Sequence, residues 1–337
     1  MQLLTRSKLR SLAVVALFLT ASSLVAKPFP SGIIRLFSTN VAKPGNSPSW
    51  TNANIDGMRL RPTWSEIEKT SGTYSWSSVD AILDLAAQHG KTVGLSVSAG
   101  VSCPQWVYDA GAIKYQLKDG SRLSTALPWD SGFLKSWLPL IKAMGDRYDG
   151  NPNLRYIVIS GLGQNIETYL SKSVADDNAL ALLGGQTAWI AGAQQIIAAY
   201  ADAFPSTPFF ITAGKPFFSP GSISTLQIVI DWAVATYPGR FGIMNATLNA
   251  ASSTGYYPNL AINTYRGTQP VGFQTLCSSI SDPVRLKGTL DQALGQGVGM
   301  GANFVEVYQN DADLAANQSV LAKRGTDLEA NVPPAGK

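Results

Sequence analysis

The chain has almost nothing with which to hold a transition metal or build a serine triad. Its 337 residues include one histidine and two cysteines. The histidine, His89, falls in Gln88-His89-Gly90-Lys91 at a predicted helix C-terminus, where the helix dipole favours a solvated imidazole. Cys103 and Cys277 are far apart in sequence, and an exported protein permits a bridge that sequence alone cannot decide. Charge is scarce as well: Asp, Glu, Lys and Arg make up 14% of the chain and the net charge is +4. With no basic run interleaved with aromatics, this argues against a nucleic-acid partner.

Long apolar runs are missing too, with one exception near the start. Residues 12–19 follow Arg6, Lys8 and Arg10 and precede small residues and Lys27-Pro28. The run is short for a bilayer span, so residues 1–26 read as a secretory signal peptide, the alternative being an uncleaved anchor. The expectation is a secreted or periplasmic protein with no membrane contact beyond export. Residues 27–337 contain no linker and suit one α/β barrel domain better than two smaller units.

What the chain does have is a carboxylate inside a strand-like apolar run. In Phe304-Val305-Glu306-Val307-Tyr308, alternation puts the two valines on one face and Phe304, Glu306 and Tyr308 on the other. If the valines pack on helices, Glu306 points into a sheet or barrel interior, where a charge needs a partner or a catalytic purpose. Two early strands offer cations. In 32–38, Ile34 and Leu36 are expected outward and Arg35 inward. In 57–64, Met58 and Leu60 are expected outward, with Arg59 and Arg61 inward and Pro62 ending the ladder.

Helical spacing of Val79, Ile82, Leu83 and Ala86 predicts a helix over 77–88, closed by Gly90. Residues 91–100 form the next strand, with Gly94, Ser96 and Ser98 inward. A second helix starts at Ser131 behind an Asp130 or Ser131 cap. The buried strand 156–160 opens into Gly161-Leu162-Gly163-Gln164-Asn165-Ile166-Glu167, which places a second carboxylate at a strand end. Helices over 188–204, 224–236 and 284–294 and strands over 208–214, 241–248, 271–276 and 303–308 complete the pass. Eight strands alternating with helices predict a single (β/α)8 TIM barrel, with its reacting groups at the C-terminal strand ends. The segment 259–265 is the one place where a spurious strand would upset this count.

The block Gly57-Met58-Arg59-Leu60-Arg61-Pro62-Thr63-Trp64-Ser65-Glu66-Ile67-Glu68, followed by Gly72-Thr73-Tyr74-Ser75-Trp76, resembles the exported clan A glycoside hydrolases, in particular the barrel of β-galactosidase-type enzymes. Cys103-Pro104-Gln105-Trp106-Val107, Pro128-Trp129-Asp130 and the Glu306 strand add to the likeness. The resemblance implies hydrolysis of β-linked glycosides in an oligo- or polysaccharide, with no metal or organic cofactor. It implies an acid/base glutamate after the fourth strand, usually directly behind an asparagine, a nucleophile ending the seventh, and an arginine on the second strand supporting that nucleophile. Here Asn165 and Glu167 are separated by Ile166, and by our count Glu306 is on the eighth strand while the seventh carries Gln274.

The expected catalytic pair is Glu167 as acid/base and Glu306 as nucleophile. Arg59, Arg61, Trp64, Trp106, Trp129, Asn165, Gln274 and Tyr308 are the expected sugar contacts. A retaining pair stands about 5–5.5 Å apart and an inverting pair roughly 6.5–9.5 Å apart. The bland alternative for Glu306 is an internal ion pair with Arg35, and for Glu167 an exposed loop carboxylate. A carbohydrate-binding or structural barrel without hydrolysis is the rival from another class. An aldolase-like Schiff base on Lys215 is a third.

Overall fold

The computed structural model describes residues 26–37 and 44–333. The predicted signal segment therefore lies, apart from Ala26, outside the described residues. Eight parallel strands close into a barrel: β1 (Gly32–Leu36), β2 (Gly57–Leu60), β3 (Thr92–Leu95), β4 (Leu154–Val158), β5 (Phe209–Thr212), β6 (Phe241–Leu248), β7 (Val271–Thr275) and β8 (Phe304–Tyr308). Each pairs with its sequence neighbours, and β8 closes on β1 with Ile34 opposite Glu306 and Leu36 opposite Tyr308. Helices α1 (Ser77–His89), α2 (Ser131–Tyr148), α3 (Gly185–Ala203), α4 (Ser222–Thr236), α5 (Leu290–Gly299) and α6 (Gln318–Ala330) are the longest connecting elements. This is the (β/α)8 TIM barrel expected from the alternation.

Local chemistry sets most of the boundaries. Asp130 caps α2 by accepting from the Phe133 N–H at 2.9 Å, and Gly90 ends α1 at φ +63°. Thr63 and Glu66 form a reciprocal capping box on the short helix Trp64–Ile67, so Glu66 is committed to that cap. The helix expected over 284–294 is split into Pro283–Leu286 and α5, because Lys287 adopts φ +60° and Thr289 starts a new capping box with Gln292. Residues 259–265 form the helix Asn259–Tyr265, so the count of eight stands. The stretch between β3 and α2 contains a small hairpin, Tyr115–Gln116 against Ser124–Thr125, which the residue pattern does not announce.

Two apolar cores share the strands. The outer faces pack Ile33, Met58, Leu60, Val93, Leu95, Ile157, Phe273, Val305 and Val307 against the helices. Inside the barrel a smaller cluster holds Ile34, Tyr156, Val158, Ile166, Phe210, Met244 and Phe304. The interior is filled by pairing large rings with glycines on neighbouring strands. A Cβ on Gly94 would meet Tyr156 Cζ at 2.1 Å, one on Gly242 would meet Phe210 Cδ1 at 2.3 Å, and one on Gly272 would meet Phe304 Cε1 at 2.3 Å. Those distances are far inside van der Waals contact, so the rings lie where side chains on β3, β6 and β7 would otherwise be.

The first strand departs from expectation. Ile34 faces the interior and Arg35 the outside, where its guanidinium carbon lies 4.0 Å from the Phe37 ring centroid and feels the charge of Asp313. The register requires this, since Ile34 sits opposite the inward Glu306 and Arg35 opposite the outward Val307.

Candidate functional site

Glu306 is the centre of the barrel's polar interior. Val305 and Val307 pack outward, and Glu306 as a whole residue is closed to solvent, at 0% exposure. Its partner is Arg59 on β2 rather than Arg35: Nη1 donates to Glu306 Oε1 at 2.7 Å, and Nη2 donates to Ser96 Oγ at 2.8 Å. The Tyr156 hydroxyl, from β4, donates to the same Oε1 at 2.8 Å. Burial, and then the charge of Glu306, push the Tyr156 phenol well above its ordinary range, so it stays a donor. Both bonds converge on one oxygen. Glu306 Oε2 is buried with no hydrogen-bond partner, as is Arg59 Nε.

Leaving a carboxylate oxygen unpaired in a low-dielectric interior is costly. The glycine opposite Tyr156 is part of the same device: without a side chain at Gly94, the tyrosine ring can occupy the space that brings its hydroxyl to Glu306.

Glu167 stands at the C-terminal mouth. The loop after β4 folds back to insert Ile166 into the interior cluster, then pairs briefly with β5 through Glu167 and Thr212. The Thr168 N–H donates to the Thr212 carbonyl at 3.2 Å. Glu167 is left half-buried, beside Asn165, whose amide donates to the Tyr169 hydroxyl at 3.2 Å. The intervening Ile166 therefore has a structural role: it plugs the barrel while the polar residues on either side of it remain only partly covered.

Arg61 and Tyr308 connect the two carboxylates electrostatically. Burial, followed by the neighbouring Arg59, lowers the Arg61 pKa, while the charges of Glu306, Tyr308 and Glu167 act in the opposite sense. Tyr308 is raised, chiefly by burial, with Arg61 opposing and Glu167 adding to the shift. Leu36, Phe37, Arg61, Tyr308, Ser278 and Asn310 contribute to a cavity of about 360 Å³ at this mouth. Gln274 faces the same interior from β7, level with Glu306.

The three tryptophans expected to stack on sugar are not arranged alike. Trp64 is fully buried, 4.8 Å from Trp137 between ring centroids, with its indole N–H donating to Glu68 at 2.8 Å. It cannot be a sugar platform; it is core, because Thr63 starts a helix that turns the ring inward. Trp106 packs edge-on against Trp64 and donates to the Glu68 carbonyl at 3.0 Å. Trp129 donates to the Leu183 carbonyl at 2.7 Å. Both are half-buried, with their polar edges already occupied.

Other candidates resolve simply. Lys215 donates to the Phe218 carbonyl of its own loop and lies over the Phe218 ring. Cys103 and Cys277 are both free thiols, and burial pushes Cys103 up to about 12, which makes it a poor nucleophile. His89 stacks on Trp50 at 5.9 Å. Among the described residues no three His, Cys, Asp or Glu side chains gather as a metal site, and no helix is long and apolar enough to cross a membrane.

Sequence reasoning missed Tyr156. In the run Leu154–Val158 apolar residues occupy both faces, so nothing marked the tyrosine as inward. Ser278 and Asn310 were missed because loop residues carry no periodic signal.

No protein-family model and no curated protein matches the chain. Among solved structures it is similar to the catalytic domain of β-amylase from Paenibacillus polymyxa, with a TM-score of 0.59 and 12% identity, covering 89% of this chain and 99% of that one. The likeness is one of fold, a (β/α)8 barrel matched over most of both chains.

Proposed function

We propose that the protein is an exported glycoside hydrolase acting on β-linked glycosides, with Glu167 as proton donor and Glu306 as the ionised carboxylate. The observation that carries this reading is the half-satisfied Glu306. Arg59 and Tyr156 hold one oxygen, and the other is buried without a partner. A carboxylate oriented by two donors, with one oxygen unspent, is what either a covalent or a water-activating role requires. Glu167, half-buried at the mouth and free of any ion pair, suits the protonated role. The fold likeness to a β-amylase catalytic domain agrees with a carbohydrate substrate.

One observation favours a second reading, in which the barrel binds carbohydrate without cleaving it. Glu306 has 0% exposure, so substrate reaches it only if side chains at the mouth move first. The two readings separate on a panel of chromogenic β-glycosides assayed with the wild type, Glu167→Gln and Glu306→Gln. The hydrolase reading expects turnover that both substitutions abolish. Turnover that survives Glu306→Gln removes Glu306 from the chemistry, and binding with no cleavage of any glycoside leaves the second reading.

A further inference from the structure

Among the described residues Arg61 has no salt-bridge partner. It is half-buried at the barrel mouth, and its Nε is buried without a partner. Two carboxylates act on it by charge, and neither is bound to it. Glu306 is held by Arg59. Glu167 influences Arg61 without making a salt bridge to it. A half-buried guanidinium without a salt bridge is available to bind an anion at its open side.

The cavity beside Arg61 narrows the choice of anion. Leu36 and Phe37 line it but are almost fully buried, the Phe37 ring packing on Arg35 and Trp50. The other lining groups are hydroxyls and amides: Tyr308, Ser278, and Asn310, whose Nδ2 donates to Ser281 Oγ at 3.2 Å. Several hydroxyl-binding groups beside one guanidinium without a salt bridge suit a sugar bearing an anionic group.

We infer that this cavity is a subsite for an acidic sugar, with Arg61 binding a carboxylate or sulfate ester on the glycan through charge-assisted, bidentate hydrogen bonds. The inference rests on the proposed hydrolase reading for the choice of a sugar, but its test does not depend on turnover.

The test uses methyl β-glycosides of gluco, galacto and manno configuration, each with hydroxymethyl, carboxylate or sulfated hydroxymethyl at C5. Binding to the full chain carrying Glu167→Gln is measured by calorimetry, so no hydrolysis intervenes. In at least one configuration an anionic member is expected to bind at least about tenfold tighter than its neutral counterpart, as one charge-assisted bidentate contact would give. A preference for carboxylate over sulfate identifies a uronide, and the reverse a sulfated sugar. Adding Arg61→Gln should bring the ratio to near one. Arg61→Lys, which keeps the charge and guards against a folding artefact, should retain part of it.

The inference is overturned if neutral members bind as tightly, if the preference survives Arg61→Gln, or if no member binds. Wild-type hydrolysis of neutral glycosides without any anionic preference would defeat this inference alone. Selective anionic binding with no turnover by the wild type would defeat the hydrolase reading alone.

Discussion

Arg59 Nη1 lies 2.7 Å from Glu306 Oε1, and their side chains retain only 2% and 1% of their exposure. The pair joins β2 to β8 across β1, near the seam where the last strand closes on the first. Its members also touch Ser96, directly after β3, and Tyr156 on β4, so one polar cluster ties together half the barrel.

Removing one member strands the other. Glu306→Leu or Arg59→Met alone should destabilise the fold by about 3–5 kcal/mol, because a buried charge is left without its partner. The double variant should recover much of that loss, since apolar replacement removes both desolvation costs together. Urea denaturation of the four proteins measures the cycle. If the single losses simply add, the pair is not coupled as the geometry requires.

Gly94→Ala tests how the interior is packed. The new Cβ would fall 2.1 Å from Tyr156 Cζ, with strand backbone on one side and an aromatic cluster on the other. A loss of about 1–3 kcal/mol or more is expected from overpacking. Combining it with Tyr156→Leu, which vacates the space, should cost less than the sum of the two singles. Additive losses would mean that the ring and the glycine are not in contact.

This packing also explains what the residues alone could and could not reveal. The inward direction of Glu306 was legible because two valines flank it, and Arg59 followed from Met58 and Leu60 in the same way. β1 was not legible: Ile33, Ile34 and Leu36 are all buried, so apolar side chains occupy both faces of the strand. Only its register against β8 turns Arg35 outward. Tyr156 lay hidden for the same reason. Trp64 was misplaced because it follows a strand closely in sequence, yet Thr63 caps a helix there and swings the ring into the core. Glu167 was found as a strand-end carboxylate, but its half-buried position depends on Ile166 reaching back into the barrel.

The two glutamates should respond differently to the same change. Glu167 is half-buried and carries no salt bridge, so Glu167→Gln should leave stability within about 0.5 kcal/mol of wild type. Loss of a proton donor should lower kcat by about 10²–10⁴. Glu306→Gln should lower activity and stability together, because it removes the anion facing Arg59. Denaturation and kinetics on the same two preparations check this. A stable, active Glu167→Gln protein would take Glu167 out of the mechanism.

At the opposite end of the barrel, Lys27 provides a pH test that does not touch the site. Its Nζ donates to the Asn151 and Leu154 carbonyls at 2.9 and 3.0 Å. Burial, opposed by Asp149 and reinforced by Arg155, lowers its pKa from 10.5 to about 8. A neutral amine still has hydrogens for both carbonyls, so the contact survives loss of the charge. Because the folded pKa lies below the unfolded one, the unfolded chain binds more protons between pH 8 and about 10.5, and this group's contribution to stability rises across that window. Below pH 8 the lysine is charged in both states and the burial cost is felt in full. The stability of the wild type minus that of Lys27→Met should therefore increase from pH 7.5 to 9.5. A difference in urea midpoint that stays flat, or falls, would show that Lys27 keeps its ordinary pKa in the folded protein.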